Sequence, residues 1–343
     1  MRKENETDRI QEFVKNYLKS DNFSIEPITN SASERKYFRV KTLENSIILT
    51  FSSHIAENKT FLYFSKIFKD NNVPVPSILN IDRDNEMYLQ EDMGDFSLLE
   101  VLLHNGEDTT SENLYKKSLK HLLNLQFNIS DKIDYSKCFD FKSFNKDIIN
   151  NDLNYFKFYF FQPLEIPYSN SDLLKEFMQI GETIESMEPR GFMFRDFQAR
   201  NIIVKNNEPY FIDYQGGMLG NPFYDLVSLL WQAKAQLSEN FKENLKNYYF
   251  SEVRKVHSIT DKSMEISYQY CLLIRLLQVL GAYGFRGILQ KKKHFKESLI
   301  LGINNLKILH KESLILHKYP ELKRIIQILI SNKTEIKINQ IIK

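Results

Sequence analysis

Cysteine is nearly missing: Cys138 and Cys271 stand far apart in 343 residues. No CxxC or Cys/His spacing accompanies them, which leaves no zinc motif and makes both expected thiols of a reducing compartment. A charge excess of either sign is missing as well, since 46 Lys and Arg face 44 Asp and Glu for a net +2. A surface that tracks nucleic-acid phosphates shows as a clear positive excess, so nucleic acid is not the expected partner. No apolar run reaches the length of a membrane span, and the stretch Met1-Arg2-Lys3-Glu4-Asn5-Glu6 lacks an apolar signal core. The expectation is a soluble, cytoplasmic chain with no membrane partner; oligomeric state leaves no mark in the sequence. Internal repeats and low-complexity segments are also lacking. What is present is a 42% hydrophobic, 13% aromatic composition, ample for a core, at a length that allows two lobes.

The informative stretch is Gly191-Phe192-Met193-Phe194-Arg195-Asp196-Phe197-Gln198-Ala199-Arg200-Asn201, followed by Ile202-Ile203-Val204 and Tyr210-Phe211-Ile212-Asp213-Tyr214. It reads as an apolar strand, a polar loop, a hairpin turning at Asn206-Asn207, and a second polar loop. The hairpin returns both loops to one end of a small sheet, so Asp196, Asn201 and Asp213 can converge. That set suits phosphoryl transfer: one carboxylate takes the acceptor's proton, while an amide oxygen and a second carboxylate hold Mg²⁺ on the phosphates.

The segment Arg195 to Asn201 resembles the catalytic loop of protein-kinase-like folds, and Ile212-Asp213-Tyr214 resembles their metal-binding motif. Ile212-Asp213-Tyr214-Gln215, Gly220 and Tyr224-Asp225-Leu226-Val227-Ser228-Leu229-Leu230 resemble, more narrowly, the aminoglycoside-phosphotransferase-like small-molecule kinases. Within these the likeness is greatest to bacterial kinases that phosphorylate N-acetylmuramate and N-acetylglucosamine at the anomeric carbon. The resemblance extends over roughly Phe23 to Leu309. It implies an α+β, protein-kinase-like two-lobe fold, with residues 1–93 as an antiparallel-sheet nucleotide-binding lobe and 94–343 as a mostly helical catalytic and acceptor-binding lobe. It implies ATP and Mg²⁺ as cofactors, a sugar acceptor, and a role in cell-wall sugar recycling. Asp196 becomes the expected base, Asn201 and Asp213 the metal ligands, and Asp225 a support that accepts from catalytic-loop N–H groups. Two other readings stay open: a kinase for an aminoglycoside or amino alcohol, and a non-catalytic nucleotide-binding protein.

The resemblance fails at one point. Kinases of this fold usually carry a phosphate-contacting lysine on the third strand, and Ile47-Ile48-Leu49-Thr50-Phe51 has none; Thr50 is near the expected place. Arg35, Lys36 and Arg39 are the nearest cations. Glu57 could match the acid that pairs with that lysine, but reads more simply as an acid in a helix's first turn. The turn Thr29-Asn30-Ser31-Ala32-Ser33-Glu34-Arg35 has no glycine, yet its N–H groups and hydroxyls can bind phosphate, which adds Ser31 and Ser33 to the nucleotide candidates. Gln90-Glu91-Asp92-Met93-Gly94-Asp95 marks the crossing between lobes, where Glu91 and Met93 are expected to flank the adenine.

Beyond the crossing, periodicity predicts helices over 97–104, 111–129, 144–161, 172–187, 239–254, 262–289, 293–310 and 320–330, with no assignment for the tail after Ser331. Gly216, Gly217 and Gly220 are expected to let backbone approach closely beside the metal. Gln198, Arg200, Gln215, Tyr155 and Arg275 are the acceptor-side candidates, with Asp152 as an alternative to Tyr155 and with Arg275 equally open to pairing with a carboxylate.

Overall fold

The computed structural model describes residues 6–28 and 35–342. Five short strands with alternating apolar residues form one antiparallel sheet: β1 (Ser24–Ile28), β2 (Lys36–Lys41), β3 (Ser46–Phe51), β4 (Ile78–Ile81) and β5 (Met87–Glu91), in the spatial order β1-β2-β3-β5-β4. Period-two alternation divides their side chains between two faces. Val40, Leu49, Met87 and Leu89 meet Ile10 and Val14 of α1 (Glu6–Leu18) on one face. Tyr88 points the other way, toward α2 (Ile55–Asp70), where Phe61 stacks between Tyr88 (5.1 Å) and Tyr214 (4.6 Å). That three-ring stack ties the sheet, α2 and the loop carrying Asp213 into one packed unit.

The remainder is a helical lobe. Ser97 opens α3 (Leu98–Asn105) with a capping box closed by Glu100. Then follow α4 (Thr109–Leu123), α5 (Lys146–Phe156) and α6 (Asn170–Glu185). Two small ribbons interrupt the helices: β6 (Gly191–Met193) pairs with β9 (Met218–Gly220), and β7 (Ile202–Lys205) pairs with β8 (Glu208–Phe211). The lobe continues through α7 (Phe223–Leu230), α8 (Glu239–Val256), α9 (Asp261–Tyr283), α10 (Lys293–Glu312), α11 (Pro320–Leu329) and α12 (Asn332–Ile342). Helix α9 lies at the centre, packed against α5, α7 and α10. Among the described residues, its extension to Leu289 is the one helix long and apolar enough to cross a membrane, and it is spent on this core.

The expected helices thus appear, the tail after Ser331 adds α12, and three helices differ in how they end. The expected continuous helices over 111–129, 144–161 and 262–289 each end in a wider π-type turn, at Asn124–Ile129, Lys157–Phe161 and Gly284–Leu289. The last two press together: a Cβ at Gly284 would lie 2.1 Å from the Tyr159 carbonyl oxygen. Two of the glycines after Asp213 admit close packing of a kind that the sequence did not specify. A Cβ at Gly217 would lie 2.2 Å from the Phe192 ring and one at Gly220 2.7 Å from Met193 Sδ, so these glycines let the β9 ribbon lie against β6.

Candidate active site

The two loops that carry the candidate groups are both held in unusual backbone. Arg195 has φ 71° and Asp213 φ 64°, left-handed values that non-glycine residues adopt only when surrounding structure imposes them. The hairpin between them turns on Asn206 (φ 53°) and Asn207 (φ 63°), as a two-residue primed turn requires. The first loop is imposed from below. Asp225, fully buried in the first turn of α7, accepts from Phe194 N–H (2.7 Å), Arg195 N–H (2.9 Å) and Gln126 Nε2 (3.1 Å). Tyr249 donates in turn to the Gln126 amide oxygen. Burial pushes the Asp225 carboxyl up to about 7, against the pull of those donors. The Arg195 side chain is anchored too, by Asp152 of α5 at 2.9 and 3.1 Å. Asp152 is therefore committed to the loop and is not presented to an acceptor.

With the loop so fixed, Asp196 is joined to the other two residues through its backbone carbonyl and the Asn201 amide. Asn201 Nδ2 donates to the Asp196 carbonyl oxygen (2.9 Å) and reaches Asp213 Oδ2 at 3.4 Å. It is the amide nitrogen of Asn201 that faces the Asp213 carboxylate, so the Asn201 amide would have to turn its oxygen inward to share a cation with Asp213. Hard oxygen donors of this kind fit Mg²⁺, which keeps waters and phosphate oxygens as its other ligands. Among the described residues no group of three or more His, Cys, Asp or Glu is arranged for a metal, so substrate phosphates would have to complete the shell. Gln215 Nε2 donates to Asp213 Oδ1 (2.8 Å) and so helps orient that carboxylate.

Asp196 has cationic company. Arg275 of α9, itself buried, donates from Nη2 to Asp196 Oδ1 at 3.1 Å, and Gln198 Nε2 lies 3.3 Å from the same oxygen. Burial would raise the Asp196 carboxyl, but Arg275, Arg200 and Arg195 outweigh it and hold the group below the usual carboxylate range. Arg275 is braced by Gln278 (2.9 Å) and lies 5.6 Å from the centre of the Tyr224 ring. Arg200 is exposed. Tyr155, one helical turn beyond Asp152, is half-buried against Tyr159 (4.5 Å between ring centroids).

The nucleotide candidates are sorted unevenly. Ser31 and Ser33 lie outside the described residues. Lys36 is directed away from the cleft and pairs with Glu6 at 2.6 Å, because strand alternation puts it on the face opposite Tyr37; it is not a site residue. Arg35 is buried beside the cleft, bonded to Glu57 and to the Tyr37 hydroxyl (3.2 Å), with Nη1 4.0 Å from Asp213 Oδ1. Burial opposes its charge, yet Tyr37, Tyr88 and Glu57 hold it more firmly protonated than an ordinary arginine. Glu57 is thus a partner of that cation and not merely a first-turn acid. At the crossing, the Glu91 carboxylate accepts from Ser77 N–H (2.8 Å), and Met93 is buried. Arg39 binds Asp92 (2.7 Å) and Asp95 (2.6 Å) there, which accounts for the third sequence cation.

Residues 148–258 match the phosphotransferase enzyme family (APH). Together with the curated relatives, this makes the chain an ATP-dependent small-molecule kinase, similar over that segment to the aminoglycoside-phosphotransferase-like enzymes. Its curated relatives narrow the comparison. It is 22% identical, over 70% of its length and 72% of the relative's, to the N-acetylmuramate/N-acetylglucosamine kinase of Neisseria meningitidis serogroup B. It is 25% identical, over 59% of its length and 58% of the relative's, to the enzyme of the same name from Pseudomonas aeruginosa. In fold it is similar to a choline kinase from Cryptosporidium parvum (TM-score 0.62, 16% identity, 94% of this chain and 99% of that one). It is likewise similar to a thermostable mutant of aminoglycoside phosphotransferase APH(4)-Ia (TM-score 0.57, 14% identity, 88% and 98%).

Proposed function

We propose that this kinase transfers the γ-phosphoryl group of ATP to the anomeric hydroxyl of an N-acetylated amino sugar, N-acetylmuramate, N-acetylglucosamine or both. Residues 1–93 serve as the nucleotide lobe and 94–343 as the catalytic and acceptor lobe. The adenine lies at the crossing, against Met93 and the backbone beside Glu91. Asn201 and Asp213 hold Mg²⁺, whose charge offsets that of the phosphates. Asp196 orients the sugar hydroxyl and accepts its proton as the phosphoryl group leaves. Asp225 fixes the loop so that this geometry exists before substrate arrives.

One observation carries the choice of acceptor: Asp196 is held by the buried Arg275 at 3.1 Å, with Arg200 also acting on it. A carboxylate kept this acidic is a weak base. It suits a hydroxyl more acidic than an ordinary alcohol, and the hemiacetal hydroxyl of a sugar is one. The same cations oppose a positively charged acceptor, which argues against an aminoglycoside or amino alcohol. The meeting of Asp196, Asn201 and Asp213 argues against a non-catalytic protein. The relatives' printed activity supports the same reading. Arg275, Arg200, Gln198, Gln215 and Tyr155 are the acceptor-side candidates.

The test is ATP consumption over a panel of N-acetylated amino sugars, aminoglycosides and amino alcohols, followed by phosphorus NMR of the product. A sugar 1-phosphate is the expected product. Turnover confined to the amino alcohols or aminoglycosides would overturn the acceptor assignment.

A further inference from the structure

Strand β3 carries no cation, but the sheet builds one into the face that adjoins Asp213. The β2–β3 register sets Tyr37 opposite Thr50, and the β3–β5 register sets Thr50 opposite Tyr88. These three side chains form a row across the sheet on the side turned to α2. Arg35, two residues before Tyr37, continues that side, and only 4% of its side chain is exposed. A guanidinium is seldom buried so fully without fixed partners. Here Glu57, from the first turn of α2, and the Tyr37 hydroxyl fix it. Its Nη1 is aimed at Asp213, whose side chain is 38% exposed to the cleft. At 4.0 Å that contact is electrostatic attraction rather than a hydrogen bond. Arg35 is thus held on the small-lobe side and stops short of the carboxylate that faces the cleft.

We infer that Arg35 is the phosphate-anchoring cation of this chain, aimed by Glu57 and Tyr37. Before nucleotide arrives it balances the charge of Asp213; with magnesium nucleotide bound it turns its fork to a phosphate oxygen. The inference rests on the kinase reading. A planar fork suits this exchange, because it can keep one edge on Glu57 and present the other to a phosphate. Glu57 is a positioning residue: it touches no nucleotide and acts through Arg35. The row also says where a substitute would fit. A lysine at Thr50, the centre of the row, would extend over the same face from the neighbouring strand.

The experiment measures the dissociation constant of magnesium with a non-hydrolysable ATP analogue, by calorimetry on the full chain, alongside the KM of the sugar acceptor. Arg35→Met should weaken the nucleotide by about 30-fold or more, the scale of truncating one partner of a desolvated charge contact. The acceptor KM should stay within about twofold. Glu57→Gln should give a smaller loss in the same direction, again with acceptor KM unmoved. Thr50→Lys introduced into the Arg35→Met chain should recover part of the affinity, which a merely structural role for Arg35 would not allow. Because Thr50→Lys places a new charge in a buried row and could disturb folding, Arg35→Lys serves as a second probe, expected to fall between wild type and Arg35→Met. Nucleotide affinity of Arg35→Met within twofold of wild type would overturn the inference, as would equal losses for nucleotide and acceptor. If wild type itself bound no magnesium nucleotide, the kinase reading would fall rather than the assignment of Arg35 alone.

Discussion

The two walls of the cleft differ in how their groups are fixed. On the large-lobe wall, Asp225 gathers three donors under the Asp196 loop, Asp152 anchors Arg195, and Arg275 holds Asp196 itself. Each joins elements far apart in sequence and has a buried partner: Asp225, Asp152 or Arg275. On the small-lobe wall, the Arg35 guanidinium, whose partners among the described residues include Glu57 and the Tyr37 phenol, faces Asp213 across 4.0 Å. The first wall is over-determined, as a site needs when a carboxylate must await its substrate in one position. The second keeps its charge on a group able to change partners. The difference teaches that this fold's chemistry side is specified by a network, while its phosphate side needs only a cation of sufficient reach, from whichever strand supplies it.

The sharpest way to break this comparison is at Asp196. If the large-lobe wall supplies proton transfer and the small-lobe wall nucleotide binding, Asp196→Asn should lower turnover by about 10²–10⁴-fold with magnesium-nucleotide affinity nearly kept. Steady-state kinetics and calorimetry on one preparation test it. A binding loss as large as the rate loss would mean the walls do not divide the task.

The next effect is on stability. Asp225→Ala leaves the N–H groups of Phe194 and Arg195 without their acceptor and takes one of the two acceptors of the Gln126 amide, at a cost of about 3 kcal/mol. Denaturant unfolding should report it, and turnover should fall as well because the Asp196 loop loses its floor. Glu57→Gln, on the other wall, should leave the unfolding midpoint closer to wild type. Equal midpoints for the two variants would erase the distinction between walls.

The same asymmetry governed what the sequence disclosed. Asp196, Asn201, Asp213 and Asp225 were legible because strand, turn and helix signals fix their spacing within one short run, and local chemistry decides where they point. Arg35 could be nominated but not separated from Lys36 and Arg39, since strand alternation, the Glu6 pair and the Asp92 pair decide the matter only in three dimensions. Glu57 read as a helix-end acid because its partner lies 22 residues earlier on another element. The bond from Arg195 to Asp152, 43 residues apart, was hidden for the same reason. The π-type turns left no trace in apolar spacing, although Gly284, which admits the Tyr159 carbonyl, was a signal available to find one.

A smaller effect sharpens the packing side of the comparison. Gly217→Ala drives a methyl to within 2.2 Å of the Phe192 ring, where β9 meets β6 under the Asp196 loop, and should cost about 1–3 kcal/mol. Gly216→Ala meets nothing within 4 Å and should lie within about 0.5 kcal/mol of wild type. The adjacent pair makes thermal unfolding a test of whether the glycines serve ribbon packing or the metal. A loss of metal-nucleotide affinity in Gly216→Ala, without loss in Gly217→Ala, would favour the metal.

The smallest effect is at the crossing between the lobes. Burial tends to raise the Asp92 carboxyl, but Arg39, Gly94 N–H and Ser46 outweigh it and hold the group below its ordinary value. A carboxylate whose folded value is depressed contributes stability that is whole above the unfolded value of about 3.9 and is lost as pH falls through the folded one. The wild-type melting temperature should therefore exceed that of Asp92→Asn at neutral pH, and the gap should close as pH drops below about 4. Arg39 keeps its bonds to Asp95 in that variant, so the gap at neutral pH should be no more than about 2 °C. Because the crossing joins the walls without belonging to either, nucleotide affinity and turnover of Asp92→Asn should fall together or not at all. A change confined to one of them would place Asp92 within that wall instead.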